Sequence, residues 1–178
     1  RWEIASQFGI NCLHLDNKIN PISWAKKETK DLGFDGVIVT ASTSNSEPLI
    51  LASKVAKRRG KIVLVGSTKI ELNRDIFYEK ELLFQVSKSY GPGRYDSEYE
   101  EKGNDYPFAY VRWTENRNIE AVLRAMELGN LDVKPLISDR FEFKNIILAY
   151  EKLRDKTEKL GILIKYRNEK DIQHIISL

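Results

Sequence analysis

The sequence predicts an α/β fold built on a parallel sheet. Two runs, VIVT at 37–40 and KIVLVG at 61–66, are continuous and rich in β-branched residues. Such runs mark strands buried on both faces, as in parallel sheets. Between them Leu49, Ile50, Ala52, Val55 and Ala56 form an apolar helical stripe. Strand, helix, strand is a βαβ unit, and its crossover is right-handed. Further helical and extended segments alternate along the rest of the 178 residues.

The elements follow in order. Trp2, Ile4, Ala5 and Phe8 have helical spacing, with Gly9 as the stop. The chain begins with Arg1, inside this pattern, and so reads as a piece of a longer one. Residues 10–15 (INCLHL) read as a short strand. Pro21 opens a helix at a position where its missing N–H costs nothing, and Ile22, Trp24 and Ala25 continue it toward Leu32 and Gly33. Ser44 and Ser46 are candidate N-caps for the next helix, with Gly60 as its stop. Lys54, Lys57, Arg58, Arg59 and Lys61 then read as a solvated basic turn at that helix's C-terminus. Residues 81–87 (ELLFQVS) read as a third strand, 118–129 as a helix ended by Gly129, and 135–143 as extended. Residues 144–156 read as a helix and 161–166 (GILIKY) as a last strand. Residues 1–166 form the domain in this reading, and 167–178 a tail or linker stub.

Composition narrows the function classes. The net charge of +3 is too even to point to nucleic acid or a membrane surface. One Cys rules out an internal disulfide framework and fits a reducing compartment, which makes a cytoplasmic protein the expectation. With two His as well, no Cys- or His-rich zinc site can be assembled. His14, His174 and Cys12 have no partners at metal or triad spacing, so no catalytic or metal role is assigned.

Ligands of open parallel sheets lie outside the carboxyl ends of the strands. That rule selects three loops: Thr40, Ala41 and Ser42; Val65, Gly66 and Ser67; Ser89, Tyr90 and Gly91. All are rich in small residues, which lets a flat ligand approach the backbone, although strand ends also call for turn residues. Seven of the chain's eighteen aromatic residues fall in 90–113, a density no solvated linker has. Gly91-Pro92-Gly93 marks turns there, and Arg94 and Arg112 add fixed charge. This segment reads as a substrate-side loop, with Arg94, Tyr95 and Arg112 facing substrate, or as a plug at an interface.

DGVIVTAS, GKIVLVG and KPLISDRFEFKNIILAYEKL resemble the nucleotide-binding half of medium-chain (zinc-type alcohol) dehydrogenases. The segment 89–118, SYGPGRYDSEYEEKGNDYPFAYVRWTENRN, resembles two-domain oxidoreductases fused to a glucose–fructose oxidoreductase-type sugar dehydrogenase module. Those occur in surface-polysaccharide gene neighbourhoods. The resemblance implies a Rossmann-like sheet and NAD or NADP as cofactor. It places Thr40 to Ser42 on the adenosine and ribose side, Val65 to Ser67 beside the nicotinamide, and Ser89 to Gly91 at the carboxamide.

The departures from that family are as informative. No G-x-G-x-x-G turn is present to hold the pyrophosphate on a helix N-terminus. Gly161 stands near where many relatives place an arginine on that group. The first two strands of the sheet, the zinc-type catalytic domain and the sugar dehydrogenase module lie outside the chain. Without those strands, residues 10–15 lose their neighbour, and the expectation is that they fold onto 37–40 or that a second copy covers the open edge. The reading is therefore part of the NAD(P)-binding domain of an oxidoreductase acting on an alcohol or sugar-type substrate, inactive as this chain. The competing reading is a non-catalytic interaction module that uses 90–113. A methyltransferase ranks last, because its Gly-rich first turn and following acidic residue are missing.

Overall fold

The computed structural model describes residues 2–14, 18–154 and 160–166. In chain order the elements are α1 (Trp2–Gln7), α2 (Pro21–Glu28), β1 (Phe34–Val39), α3 (Glu47–Val55), β2 (Ala56–Leu64), α4 (Arg74–Lys80) and β3 (Leu83–Val86). There follow α5 (Ser97–Glu100), α6 (Glu115–Glu127), β4 (Ile137–Glu142), α7 (Ile146–Arg154) and β5 (Gly161–Lys165). The parallel α/β character is as the sequence predicts. The chain divides into two compact units, Cys12–Leu123 and Arg1–Asn11 with Arg124–Leu178.

The larger unit holds a three-stranded parallel sheet in the order β1-β2-β3. Residues 36–39 of β1 register with 61–64 of β2, and these with 83–86 of β3. One face of the sheet carries the core. Val39, Leu49, Ala52, Ala56, Ile62 and Leu64 are buried there, with Val37, Phe77, Leu82 and Phe84 packed against them. The helical stripe thus buries α3 on β2 through Leu49 and Ala52. Helix α2 starts as its sequence requires. Asn20 accepts from the Ile22 and Ser23 N–H groups at 2.9 and 3.2 Å, and Pro21 follows.

The end of α3 differs from expectation. The helix stops at Val55, not at Gly60, because Ala56 is already extended and enters β2. The Lys80 ammonium donates to the carbonyls of Ser53, Lys54 and Ala56 at 3.0, 2.9 and 2.8 Å. A cation there satisfies orphan carbonyls and complements the helix dipole. Burial holds the Lys80 pKa below its ordinary value. The basic residues after Lys54 are therefore strand residues rather than a helical turn. Lys57 pairs with Asp35, and Arg59 reaches Glu81 through two contacts at 2.8 and 3.3 Å. Ser46 takes the N-cap position of α3 but donates its hydroxyl to Glu71 at 3.3 Å instead of capping.

The smaller unit pairs β4 with β5 in parallel. Ala149 of α7 is buried, Lys152 binds Asp139 at 2.6 Å, and Phe143 packs on Tyr166 with ring centroids 4.9 Å apart. Helix α1 ends at Gly9, which has φ +73°. The Gly9 and Ile10 N–H groups return to Ser6 and Ala5 at 3.0 and 3.2 Å, a Schellman closure.

Residues 10–14 are not a strand, and Leu15 lies outside the described residues. The Ile10 amide is taken by the turn that closes α1, which removes a donor a strand would need. Among the described strands β1 pairs with β2 alone, so the expected strand pairing of this segment with β1 is not formed. Ile38 on β1 is 68% exposed. The tail assigned to 167–178 lies outside the described residues.

Two substitutions test this packing by chemical denaturation. Ile62→Ala, at a fully buried site, is expected to cost about 2–5 kcal/mol. Lys80→Met keeps the apolar stem and loses the cap on α3, and is expected to cost about 1 kcal/mol.

Candidate functional site at the strand ends

Because β1, β2 and β3 run parallel, their carboxyl ends meet at one edge, and the loops the sequence singled out leave from there. The first two are laced together beyond the strands. The Val39 carbonyl accepts from both the Val65 and Gly66 N–H groups at 2.9 Å. Thr43 N–H donates to the Ser67 carbonyl at 2.8 Å, and Ser42 and Ser67 form an isolated parallel bridge. Gly66 has a specific reason to be glycine. A Cβ there would stand 2.0 Å from the Ala41 carbonyl oxygen and 2.7 Å from the Thr40 carbonyl carbon. Its small size serves the approach of one loop to another. Thr40, Ala41, Ser42, Val65 and Ser67 are all exposed along this edge.

The third loop continues the ladder through Ser87 N–H, which donates to the Leu64 carbonyl at 2.8 Å. The chain then turns, with Ser89 at φ +36° and Gly91 at φ +105°. Asn118, in the first turns of α6, donates its amide to the Tyr90 carbonyl at 2.9 Å. Sequence reasoning missed Asn118, since a lone Asn past a helix start has no motif to announce it. Two cavities meet at Tyr90 and Asn118. One, of about 380 Å³, is walled by Ile119, Val122 and Leu123; the other, of about 470 Å³, opens over the sheet at Lys61 and Gln85.

The aromatic segment is folded and fastened to the start of α6. Arg94 lies 5.5 and 4.4 Å from the ring centroids of Tyr90 and Tyr95 and binds Glu100 at 2.5 Å. Arg112 stacks 4.6 Å over Phe108 and 4.2 Å over Trp113. Arg94 and Tyr95 thus contact each other, while Arg112 packs on a separate pair of rings, Phe108 and Trp113. Arg117 donates to the carbonyls of Val111 and Tyr106 at 2.6 and 3.2 Å and pairs with Asp105. The Glu115 N–H donates to the Pro92 carbonyl at 2.8 Å, and the Asn116 N–H to the Tyr99 hydroxyl at 3.1 Å. The Tyr106 hydroxyl donates to the Asp96 carboxylate, while its ring stacks on Tyr99 at 5.7 Å. That bond holds the Asp96 pKa below the ordinary carboxylate value and raises the Tyr106 phenol above its own. Among the described residues, no group of three His, Cys, Asp or Glu is placed to hold a metal, and no helix is long and apolar enough to cross a membrane.

No protein-family profile and no curated protein matches the chain. Solved structures do. The alcohol dehydrogenase TADH from Thermus sp. ATN1 has 21% identity and TM-score 0.65, over 92% of this chain and 40% of that one. The 2R,3R-butanediol dehydrogenase from Bacillus subtilis has 14% identity and TM-score 0.67, over 92% and 40%. The galactitol-1-phosphate dehydrogenase from Escherichia coli has 16% identity and TM-score 0.57, over 82% and 37%. The chain thus spans less than half the length of each. At these identities the likeness establishes a shared fold, a Rossmann-like arrangement of parallel strands flanked by helices.

The Tyr106–Asp96 bond has a pH signature. The depressed Asp96 contributes stability above the ordinary carboxylate pKa and loses it as pH falls through its folded value. The raised Tyr106 contributes below the ordinary phenol pKa and loses it as pH rises through its folded value. Tyr106→Phe is therefore expected to lower the melting temperature most near neutral pH. The difference from the native chain narrows at both extremes of a thermal-denaturation series.

Proposed function

We propose that the chain is part of the NAD(P)-binding domain of an oxidoreductase acting on an alcohol or sugar-type substrate. The observation that carries this reading is the edge where three parallel strands end in adjoining loops, two of them laced at Gly66 and Ala41. Ligands of this sheet class bind at such an edge. The solved neighbours bear the names of dehydrogenases of an alcohol, a diol and a phosphorylated hexitol, which supports membership of the medium-chain dehydrogenase superfamily. The more specific likeness of 89–118 to the two-domain polysaccharide-linked oxidoreductases belongs to the same proposal. A reducing, cytoplasmic setting suits a single half-exposed thiol, Cys12.

The residues present suit the two ends of a nicotinamide dinucleotide. The exposed Ser42 and Ser67 hydroxyls and the adjoining peptide groups offer donors and acceptors for ribose. In this reading Thr40 to Ser42 take the adenosine side, Val65 to Ser67 the nicotinamide and its ribose, and Ser89 to Gly91 the carboxamide. The cofactor, when bound, supplies the hydride chemistry, and the chain orients it. A Gly-rich pyrophosphate turn is not in the sequence, so the middle of the dinucleotide is not gripped by this chain. Arg94, Tyr95 and Arg112 then border the substrate side.

A second reading, a non-catalytic interaction module, draws on the exposure of Tyr95, Phe108, Tyr110 and Trp113, which are 71%, 58%, 88% and 50% exposed on a fastened segment. Rigid aromatic and arginine side chains are the anchors of protein interfaces. The edge of β1 away from β2, unpaired among the described strands, is where a second copy would pair.

Saturation-transfer NMR with NADH and NADPH tests the cofactor reading. Weak binding, with Kd above about 0.1 mM, and transfer to the nicotinamide protons are expected. Ser67→Tyr, which fills that position, is expected to abolish the transfer without lowering the melting temperature. Transfer to neither end of the dinucleotide rejects the reading, and micromolar affinity rejects the incomplete crevice.

A further inference from the structure

One face of the β1-β2-β3 sheet is not the one packed by α3 and α4. Its side chains follow from the strand period of two and the register. One row across the strands is Ile38, Val63 and Gln85; the next is Gly36, Lys61 and Leu83. Their neighbours Val37, Val39, Ile62, Leu64 and Phe84 belong to the core face. The exposed face is apolar at Ile38, Val63 and Leu83 and polar at two diagonal neighbours, Lys61 on the middle strand and Gln85 on β3. Gly36, beside Lys61, leaves open space there, since a Cβ would meet nothing nearer than 3.9 Å.

The cavity of about 470 Å³ opens over Lys61, Val63 and Gln85. That is the size of a small-molecule site, which runs from ~300 to ~1,000 Å³. Its lining holds two cations, Lys61 and Lys88, and no carboxylate. No ion pair or side-chain hydrogen bond engages Lys61 among the described residues. Lys88 sits 5.5 Å over the Tyr95 ring and makes no side-chain hydrogen bond or close ion pair among the described residues, its nearest charge partner being the longer-range Asp96 carboxylate. Two ammonium groups lining a concave site, Lys61 without an ion pair and Lys88 only weakly offset by Asp96, draw an anion. Gln85, Ser87, Ser89 and Asn118 line the same space and offer donors and acceptors to hydroxyl groups.

We propose that this cavity binds a small hydroxylated molecule bearing a phosphate or carboxylate, with Lys61 and Lys88 holding the anion. The proposal shares Ser89 to Gly91 with the cofactor reading but does not depend on it, because Thr40 to Ser42 and Val65 to Ser67 are not in the lining. Where both hold, the anion is the handle by which a substrate is seated beside Ser89 to Gly91.

Calorimetric titration of the 178-residue chain with sorbitol 6-phosphate, gluconate and sorbitol tests it. Saturable binding of at least one of the two anions, and none of sorbitol, is expected. Phosphate-only or carboxylate-only binding names the group. Lys61→Gln and Lys88→Gln are each expected to weaken binding roughly tenfold, the worth of a charge-assisted contact. Lys57→Gln, whose ammonium pairs with Asp35 outside the cavity, leaves it unchanged. Sorbitol binding as tightly as the anions overturns the proposal. So does an equal loss in Lys57→Gln, or no saturable binding of any of the three. NADH binding, measured separately on the same variants, bears on the cofactor reading alone.

Discussion

The carbonyl of Val39 accepts from two successive N–H groups of the neighbouring strand's loop, and much of the architecture is set there. A parallel pair ordinarily diverges once its ladder ends. Here the shared acceptor holds Val65 and Gly66 against β1, and the Ser42–Ser67 bridge carries the pairing onward. The loops can approach this closely only because position 66 has no side chain. The edge is consequently held by the protein's own hydrogen bonds and close packing, which fix where each loop residue stands relative to the next strand.

The same sheet depends on a contact far away in sequence. Helix α3 passes directly into β2, with no connecting loop. A junction this abrupt leaves helix carbonyls without partners. Lys80, at the end of α4, supplies them with three donors. The crossovers that build β1, β2 and β3 are thereby tied to each other through one ammonium group. Arg59 and Glu81, each at positive φ, close the same region from the other side. Both contacts link β2 to the α4 end, so the register of β2 with β3 is fixed by side chains as well as by the ladder.

Legibility in the sequence followed burial. Residues 37–39 and 61–64 were readable because an aliphatic run leaves few alternatives to a strand between layers. Helix α3 was readable from its stripe, but not its end, since Lys80 lies 24 to 27 residues from the carbonyls it caps. Helix α4 escaped notice: its Asn73 cap is a proper signal, yet of its apolar residues only Phe77 joins the core, and Tyr78 is 75% exposed. Residues 10–14 misled in the opposite sense, for apolar content alone does not supply a pairing partner. At the strand ends the small residues stood out in the sequence. The role of Gly66 did not, because glycine facing a ligand and glycine facing another loop look alike in one dimension. Asn118 was invisible for a related reason: its partner, the Tyr90 carbonyl, is main chain.

The continuous runs imply something further about the sheet. An antiparallel sheet with one wet face shows alternating apolar and polar residues, and β1 and β2 do not. Ile38 and Val63 on the second face are as apolar as Val39 and Ile62 on the first, yet Ile38 is 68% exposed whereas Ile62 is fully buried. Such a face is one that a cover stabilises, by roughly 25 cal/mol for each Å² removed from water. Against that background Lys61 and Gln85 are the exceptions that need a reason. An ammonium placed under an apolar cover would be costly without a counter-charge. It is tolerable where water or an anion reaches it, and the cavity lined by Lys61 and Gln85 provides such access. The break in the apolar pattern and the position of the cavity are thus two consequences of one placement, the lysine on the second face of β2.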